Sequence, residues 1–241
     1  MNSNLLYNNR KPSYHKAMDS SKDLATSIFE TLKSEILSLL LKPGEELSET
    51  SLCKRFSASR TPVRTAIQRL VDISLVEIEP YQYIRVSKID YGITKEMIFL
   101  RSSIEGRLIK DFILKATPFD IEDIEHNIRR EKILLSGDFK PSEFYKLDAE
   151  FHSYFYKKMD LMYIWSLINE SVHYTRFRML DIVKTGDFKA IFEEHEKMFE
   201  MIKNKDTSEL QALIEYHFNG GLRRLENRSD EFYKDNLINY R

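Results

Sequence analysis

The pattern of apolar and polar positions in the first third of the chain predicts three helices and two strands. Apolar residues recur at helical spacing over residues 24–40 and stop before a Lys-Pro-Gly turn. A short second helix follows Ser48, and a third opens at Ser59-Arg60-Thr61-Pro62, because a proline in the first helical turn loses no hydrogen bond. Residues 75–80 and 81–86 alternate in part, as hairpin strands do. A helix-turn-helix followed by a hairpin is therefore predicted.

Beyond Asp90 the helical periodicity lengthens, and turn residues divide it into six predicted helices. They begin near Ile93, Pro118, Pro141, Leu161, Phe188 and Thr207. In the first of these helices we predict that four apolar side chains face the core, namely Met97, Leu100, Ile104 and Leu108.

The predicted fold is mainly α, with an N-terminal helix-turn-helix and hairpin and a C-terminal all-α helical bundle. Four parts are expected: a flexible N-terminal arm (1–19), a helix-turn-helix domain with its hairpin (20–88), a helical domain (89–228) and a C-terminal tail (229–241) that is frayed or ordered only by a partner. The arm is polar and Asn-rich. Because it has no continuous apolar segment, it is not predicted to be a secretory signal.

Composition narrows the class of protein. With 241 residues, 42% of them hydrophobic, the chain can bury a core, and it has no apolar run near the ~20 residues that span a bilayer. A soluble protein without a membrane partner is expected. The single cysteine, Cys53, excludes a disulfide within the chain and favours the reducing cytoplasm.

The net charge is only −1, but the basic residues are concentrated. Residues 50–71 contain no acid and five cations, Lys54, Arg55, Arg60, Arg64 and Arg69. On the third helix Arg60, Arg64 and Gln68 share one face, and these side chains suit guanine and adenine edges in a major groove. The alternative is a solvated basic face with no nucleic acid.

Residues 43–80 resemble the winged-helix domain of GntR-family transcriptional regulators. Six consecutive residues, Ser-Arg-Thr-Pro-Val-Arg at 59–64, match the family's entry into the recognition helix. The resemblance implies that Ser59, Arg60, Thr61 and Arg64 contact double-stranded operator DNA, and Gln68 extends that face.

This chain departs from the family pattern at several positions. Leu39 and Ser74 stand where the family often has glycine. Gln82 and Tyr83 replace the Arg-Gly common at the wing tip, so no wing contact to DNA is assigned.

The helical domain contains a candidate metal site. Asp148 and His152 lie four residues apart on one predicted helix, while His195 and His217 lie on two later ones. From the spacing alone, these histidines could equally be ordinary core or surface residues.

Three segments are similar to the FCD effector domain of the FadR branch of the GntR regulators: LDAEFHSYF, EEHEKMFEMIKNKD and ELQALIEYHF. The resemblance implies that Asp148, His152, His195 and His217 hold a divalent metal, with zinc, nickel or manganese all compatible with this ligand set. Six helices fit the VanR-like subgroup of that branch.

Arg101 and Glu105 form an i, i+4 pair in the first helix of this domain. Taken alone, the pair is a surface ion pair worth a few tenths of a kcal/mol. In the FCD family the arginine position often meets an effector carboxylate, so the resemblance implies effector binding by Arg101.

Together these features predict a homodimeric, ligand-responsive repressor that binds a palindromic operator and responds to a small organic acid. Two copies are expected because a single recognition helix offers few base contacts. Two alternatives stay open: a regulator that responds to the metal alone, and a metal-dependent hydrolase. We expect no enzymatic activity, since a hydrolase would not explain residues 59–64.

Overall fold

The computed structural model describes residues 14–226 and 228–240, with the side chains of 14–22 excepted. The described chain forms two compact units. The first takes in the residues up to Ser34 together with Glu46–Arg85, and the second takes in Glu35–Glu45 and everything from Val86 onward. Most of the predicted arm lies outside the described residues, but helix α1 begins at Tyr14, so residues 14–19 are helical.

The first unit has the predicted order of three helices and a two-stranded sheet. Its elements are α1 (Tyr14–Leu37), α2 (Glu49–Arg55), α3 (Arg60–Asp72), β1 (Val76–Glu79) and β2 (Tyr83–Val86). The Ser48 side chain caps α2 by accepting a hydrogen bond from the Ser51 N–H. The buried apolar side chains of this unit include Ile28, Leu32, Val63, Ala66, Ile67 and Leu70 of α1 and α3, with Leu52 from α2 and Val76 from β1. This core leaves the opposite face of α3 in solvent.

Ser74 and Leu39 both have a positive φ, of 60°. At Ser74 the chain leaves α3 through a Schellman motif, with Ser74 N–H donating to the Val71 carbonyl and Leu75 N–H to the Leu70 carbonyl. The left-handed conformation favours glycine. The two positions that lack the family's glycine are thus positions where this backbone would suit one.

The second unit is almost entirely helical. Its elements are β3 (Ile89–Asp90), α4 (Tyr91–Ile113), α5 (Pro118–Leu135), α6 (Pro141–Lys158), α7 (Met162–Asn169), α8 (Val172–Thr185), α9 (Phe188–Lys203), α10 (Leu210–Phe218), α11 (Gly220–Leu225), α12 (Asp230–Asn236) and β4 (Leu237–Ile238). Thr117 and Asp120 form a capping box at the start of α5. Aromatic side chains of α4 and α6, including Phe112, Phe151 and Phe155, fill the centre of the core. Within the described residues, no helix has the length and apolar character needed to cross a membrane.

The predicted count of six helices is wrong, because two of the six are interrupted. The helix predicted from Leu161 breaks between α7 and α8, where the extended backbone of Ser171 (φ −69°, ψ 96°) redirects the chain. The helix predicted from Thr207 breaks at Asn219 (φ −81°, ψ 0°), just before two glycines of low helix propensity. The assignment to the VanR-like subgroup, which depended on that count, stays a prediction.

The C-terminal segment is also more ordered than the frayed tail expected from the sequence. Strand β4 pairs in parallel with β3, with Ile89 opposite Leu237 and Asp90 opposite Ile238. Leu237 is buried in the main core, and this burial gives the segment a hydrophobic anchor that its short apolar pattern did not reveal.

Of the four residues predicted to face inward on α4, Leu108 is in the core and Met97 and Ile104 pack against it, but Leu100 does not face inward. Leu100 is 40% exposed, whereas its neighbour Arg101 is fully buried, as is Glu105 one turn later. Periodicity misplaced Leu100 because apolar patterning cannot register a buried ion pair, and Arg101 and Glu105 form one on this helix.

Candidate functional site

Four predicted ligands from three helices meet in the interior of the second unit. Helix α6 presents Asp148 and His152 from successive turns, α9 contributes His195 and α10 contributes His217. One ligand atom of each residue lies within 4.8 Å of the ligand atoms of all the others. The helices therefore bring together a carboxylate and three imidazoles, a donor set suited to a divalent transition metal.

Each histidine is oriented by a buried carboxylate on its Nδ1 atom. The pairs are His152 with Glu105 Oε2 (2.5 Å), His195 with Glu131 Oε2 (2.9 Å) and His217 with Glu194 Oε2 (2.8 Å). A carboxylate at Nδ1 keeps the proton on that nitrogen, so the lone pair of Nε2 is free for a metal. All three imidazoles are thus prepared to ligate through the same atom.

The Nε2 atoms converge on a common space. Nε2 of His217 lies 3.2 Å from Nε2 of His152, and Nε2 of His195 lies 3.8 Å from Oδ1 of Asp148. Nε2 of His195 is buried and has no hydrogen-bond partner among the described residues. A buried polar atom without a partner is costly, and a cation between these atoms would satisfy it. The residues present therefore fit a divalent metal.

The electrostatics of the cluster favour ligation. Burial lowers the pKa of His152 well below its ordinary value, and it also lowers the pKa of His217. Burial opposes ionisation of Asp148, but Arg178 and the three histidines outweigh it and lower the pKa of this carboxyl. His195 differs: burial disfavours its charged form, yet Glu131 outweighs burial and raises the pKa. At a pH where His195 is protonated, a metal must therefore displace that proton before Nε2 can ligate.

Arg101 lies beside this cluster rather than on the surface. Its Nε donates to Oε1 of Glu105 (2.8 Å), and its Nη1 donates to the hydroxyl of Tyr174 (3.0 Å). Burial disfavours the guanidinium charge, but Glu105 outweighs it and raises the pKa of Arg101. The interpretation of this pair as a surface ion pair is wrong, since Glu105 bridges Arg101 and the ligand His152.

A small cavity of about 40 Å³ adjoins the cluster. Its polar lining includes Arg101, Asp148, Tyr174, Arg178, His217 and Arg224. Arg178 donates to Oδ2 of Asp148, and Arg224 pairs with Asp181 at 2.6 Å. The volume is well below the ~300–1,000 Å³ of ordinary ligand pockets. These guanidiniums currently bind carboxylates of the chain itself.

The five residues predicted to contact DNA are all exposed along α3 or at its N-cap, namely Ser59, Arg60, Thr61, Arg64 and Gln68. Two of them have acidic partners just outside the acid-free stretch. Arg64 Nε donates to Oε1 of Glu49 (2.8 Å), and Gln68 Nε2 donates to Oδ1 of Asp72 (3.0 Å). Both bonds lie in solvent, where such contacts are weak and exchange readily.

Sequence reasoning named Glu105 only as a partner of Arg101, and it missed Glu131, Glu194 and the arginine on Asp148. Glu131 could have been found, because it continues the apolar row of Ile124 and Ile128 on α5 and so occupies a core position. Glu194 directly precedes a ligand histidine. Nothing in the sequence distinguished Arg178 from its arginine neighbours.

Comparison with known proteins places the chain in a family. The model of the FCD domain matches residues 96–220, and the model of the gntR family of bacterial regulatory proteins matches residues 24–86. These matches follow the two units of the structure. The chain belongs to the GntR family and has a C-terminal FCD domain; it is a DNA-binding transcriptional regulator.

Curated relatives are regulators of the same kind. The chain is 25% identical over 191 residues to the HTH-type transcriptional repressor RspR of Escherichia coli K12, covering 79% of this chain and 83% of that protein. It is 26% identical over 197 residues to the gluconate operon transcriptional repressor of Bacillus subtilis, covering 78% and 79%. Because these relatives are regulators and not enzymes, the hydrolase alternative is set aside.

Solved structures share the fold. McbR/YncC of E. coli superposes with a TM-score of 0.62 at 18% identity, covering 84% of this chain and 97% of that one. A GntR regulator from Rhodococcus sp. RHA1 gives a TM-score of 0.66 at 17% identity, covering 85% and 99%. The prediction of a mainly α protein with a winged helix-turn-helix and a helical FCD bundle is confirmed.

Proposed function

We propose that this regulator is a repressor whose FCD domain binds a divalent metal through Asp148, His152, His195 and His217. The convergence of three imidazole Nε2 atoms on the Asp148 carboxylate, with each Nδ1 held by a glutamate, is the observation that carries this proposal. The assignment as a repressor follows the relatives, since RspR and the gluconate operon protein are both repressors.

In the winged-helix unit, an exposed row along α3 contacts the operator. The row consists of Ser59, Arg60, Thr61, Arg64 and Gln68. Their support is a continuous exposed row on α3 that starts at the helix N-terminus, where backbone N–H groups favour phosphate. We therefore place the protein in the cytoplasm, where it has access to genomic DNA.

The effector is a small organic acid that binds the metal and Arg101. Arg101 lines the cavity next to two of the ligands, and its guanidinium is buried where an ion pair with a carboxylate is strong. The 40 Å³ cavity must enlarge to admit such a molecule. Release of Arg178 from Asp148 would enlarge it, because both side chains line the cavity.

The functional unit is a homodimer on a palindromic operator. Phe99 is 75% exposed on α4, and Ile93 and Leu100 are also exposed on the same helix. Exposed apolar side chains grouped on one helix are typical of a contact with another chain. Two recognition helices would double the base contacts that one offers.

A second candidate is a regulator for which the metal alone is the signal. The cavity favours it, because 40 Å³ holds only a few waters and the metal cluster is complete without an organic ligand.

Operator binding by the full-length protein tests both proposals. Chelator-treated protein is compared with protein loaded with zinc, nickel or manganese, each with and without a panel of small organic acids, at fixed salt. We expect each chain to bind one metal ion. We expect an organic acid to release the operator only from the metal-loaded protein. Release of the operator by the metal alone supports the second candidate. Absence of bound metal in every preparation would refute both. A His126→Ala variant, altered at an exposed histidine, controls for adventitious metal.

A further inference from the structure

Helix α8 contacts two functional parts of the second unit through neighbouring faces. Towards the cavity, Tyr174 accepts a hydrogen bond from Arg101, and Arg178 donates to the metal ligand Asp148. Towards residues 87–90, His173 contacts Asp90 and Arg176 contacts Ser87, within the segment that begins two residues after Arg85, the last residue of the winged-helix unit. One helix therefore forms hydrogen bonds both beside the four candidate metal ligands and to the segment that follows the DNA-binding unit.

Arg176 is the main contact on the second of these faces. Its side chain is fully buried; Nη1 donates to Oγ of Ser87 (3.1 Å) and Nη2 to the Ser87 carbonyl (2.5 Å). Among the described residues no carboxylate pairs with it, and burial lowers its pKa to about 10. A buried cation without a counter-charge is costly. Here the hydrogen bonds to Ser87 are what offset that cost.

Further contacts hold the same segment. The Asp90 N–H donates to Nδ1 of His173 (3.0 Å), and Nδ2 of Asn239 donates to Oδ2 of Asp90 (2.8 Å). Strand β4 pairs with Ile89 and Asp90 from the other side. Residues 87–90 are thus fixed between α8 and the C-terminal segment.

We propose that Arg176 is a positioning residue that holds residues 87–90 on α8 and thereby couples occupancy of the metal cluster to that segment. The coupling rests on the proposed metal function. Arg178 donates to Oδ2 of Asp148, whereas Oδ1 is the oxygen near Nε2 of His195, so a cation ligated there shares the carboxylate's negative charge with Arg178 and weakens that ion pair. Arg178 lies two residues from Arg176, and a helix responds as a rigid element, so a change at Arg178 is felt at Ser87.

Hydrogen exchange of the full-length protein, with Zn²⁺ alone as the probe, tests this inference. Peptides covering 86–92 and 148–155 report on the segment and on the ligand helix. In zinc-free protein, we expect Arg176→Met to speed exchange in 86–92 by about tenfold, because the segment loses its main anchor. On addition of zinc, we expect 148–155 to respond in both proteins and 86–92 to respond only in the parent.

Two further variants keep the test decisive. Arg129→Met replaces an exposed arginine on α5 and should behave as the parent does. Ser87→Ala removes one acceptor while leaving Arg176 in place, so a smaller change in the same direction is expected even if Arg176→Met folds poorly.

The inference is overturned if 86–92 exchanges alike in Arg176→Met and parent, or if zinc protects 148–155 of the parent without affecting 86–92. Failure of the metal proposal has a different signature, since 148–155 would then ignore zinc in every protein. The zinc-free comparison would still decide whether Arg176 holds the segment.

Discussion

Oε2 of Glu131 lies 2.9 Å from Nδ1 of His195, joining α5 to α9 through two fully buried side chains. The glutamate fixes which imidazole nitrogen carries the proton and leaves Nε2 directed at Asp148. The same arrangement recurs at His152 and His217, so the outer carboxylates are as much a part of the cluster as its four ligands.

Glu131→Gln should therefore weaken zinc binding. The amide retains a hydrogen-bonding oxygen but loses the charge that supports ligation, and losses of about 10–100-fold are typical for such partners. Competition against a chelating dye measures the affinity. Glu125→Gln, at an exposed position of the same helix, is the matched control. Equal affinities in the two variants would contradict the role of Glu131.

His195→Ala should remove the metal without unfolding the helices. The side chain contributes one of four ligands and stacks on Phe151 with ring centroids 4.4 Å apart, so some stability is lost with it. Elemental analysis gives the metal content, and circular dichroism gives the helix content. The ligand assignment fails if variant and parent retain the same amount of metal.

Zinc affinity should decrease as the pH is lowered from about 8 to 6. Glu131 raises the pKa of His195 against the effect of burial, so the metal-free site holds this proton more tightly than an ordinary imidazole does. Zinc must displace the proton, and the affinity then changes by up to about tenfold per pH unit for each proton released. A titration series at several pH values measures the slope, and a flat profile would exclude proton release from His195.

Arg64→Ala should lower operator affinity. The expected cost is about 1–3 kcal/mol if the guanidinium contacts a base edge. Arg107→Ala serves as the control, because Arg107 is an exposed arginine of the helical unit paired with Asp111. Gel shifts at fixed salt compare the two. Binding by Arg64→Ala that matches the parent would remove Arg64 from the interface.

Ser74→Gly should stabilise the winged-helix unit. Ser74 has a φ of 60° at the end of α3, and glycine adopts this conformation without the steric cost, a gain of about 0.5–1 kcal/mol. Urea unfolding measures the change. Ser51→Gly should lower the free energy of unfolding, because Ser51 lies inside α2 and glycine has a low helix propensity. A lower stability for Ser74→Gly would show that its contacts outweigh the backbone strain.

Local spacing predicted the helix-turn-helix well because each element there follows from its neighbours in sequence. The Ser48 cap and the apolar row of α3 are both properties of one short segment. Prediction failed where the deciding contact is remote. Arg101 and Glu105 seemed to form a surface pair until the packing of α4 against the ligand helix placed both in the interior.

By itself the sequence determined which side chains share a helix face, and so it determined the row of α3 that faces solvent and the Asp148–His152 pair. Only the tertiary structure decided which faces meet. It brought Glu131 to His195 and Ser87 to Arg176, over 64 and 89 residues of chain. The physical reason is that helical periodicity is set by the local backbone, whereas the packing of one helix on another depends on the shape and charge of the whole core.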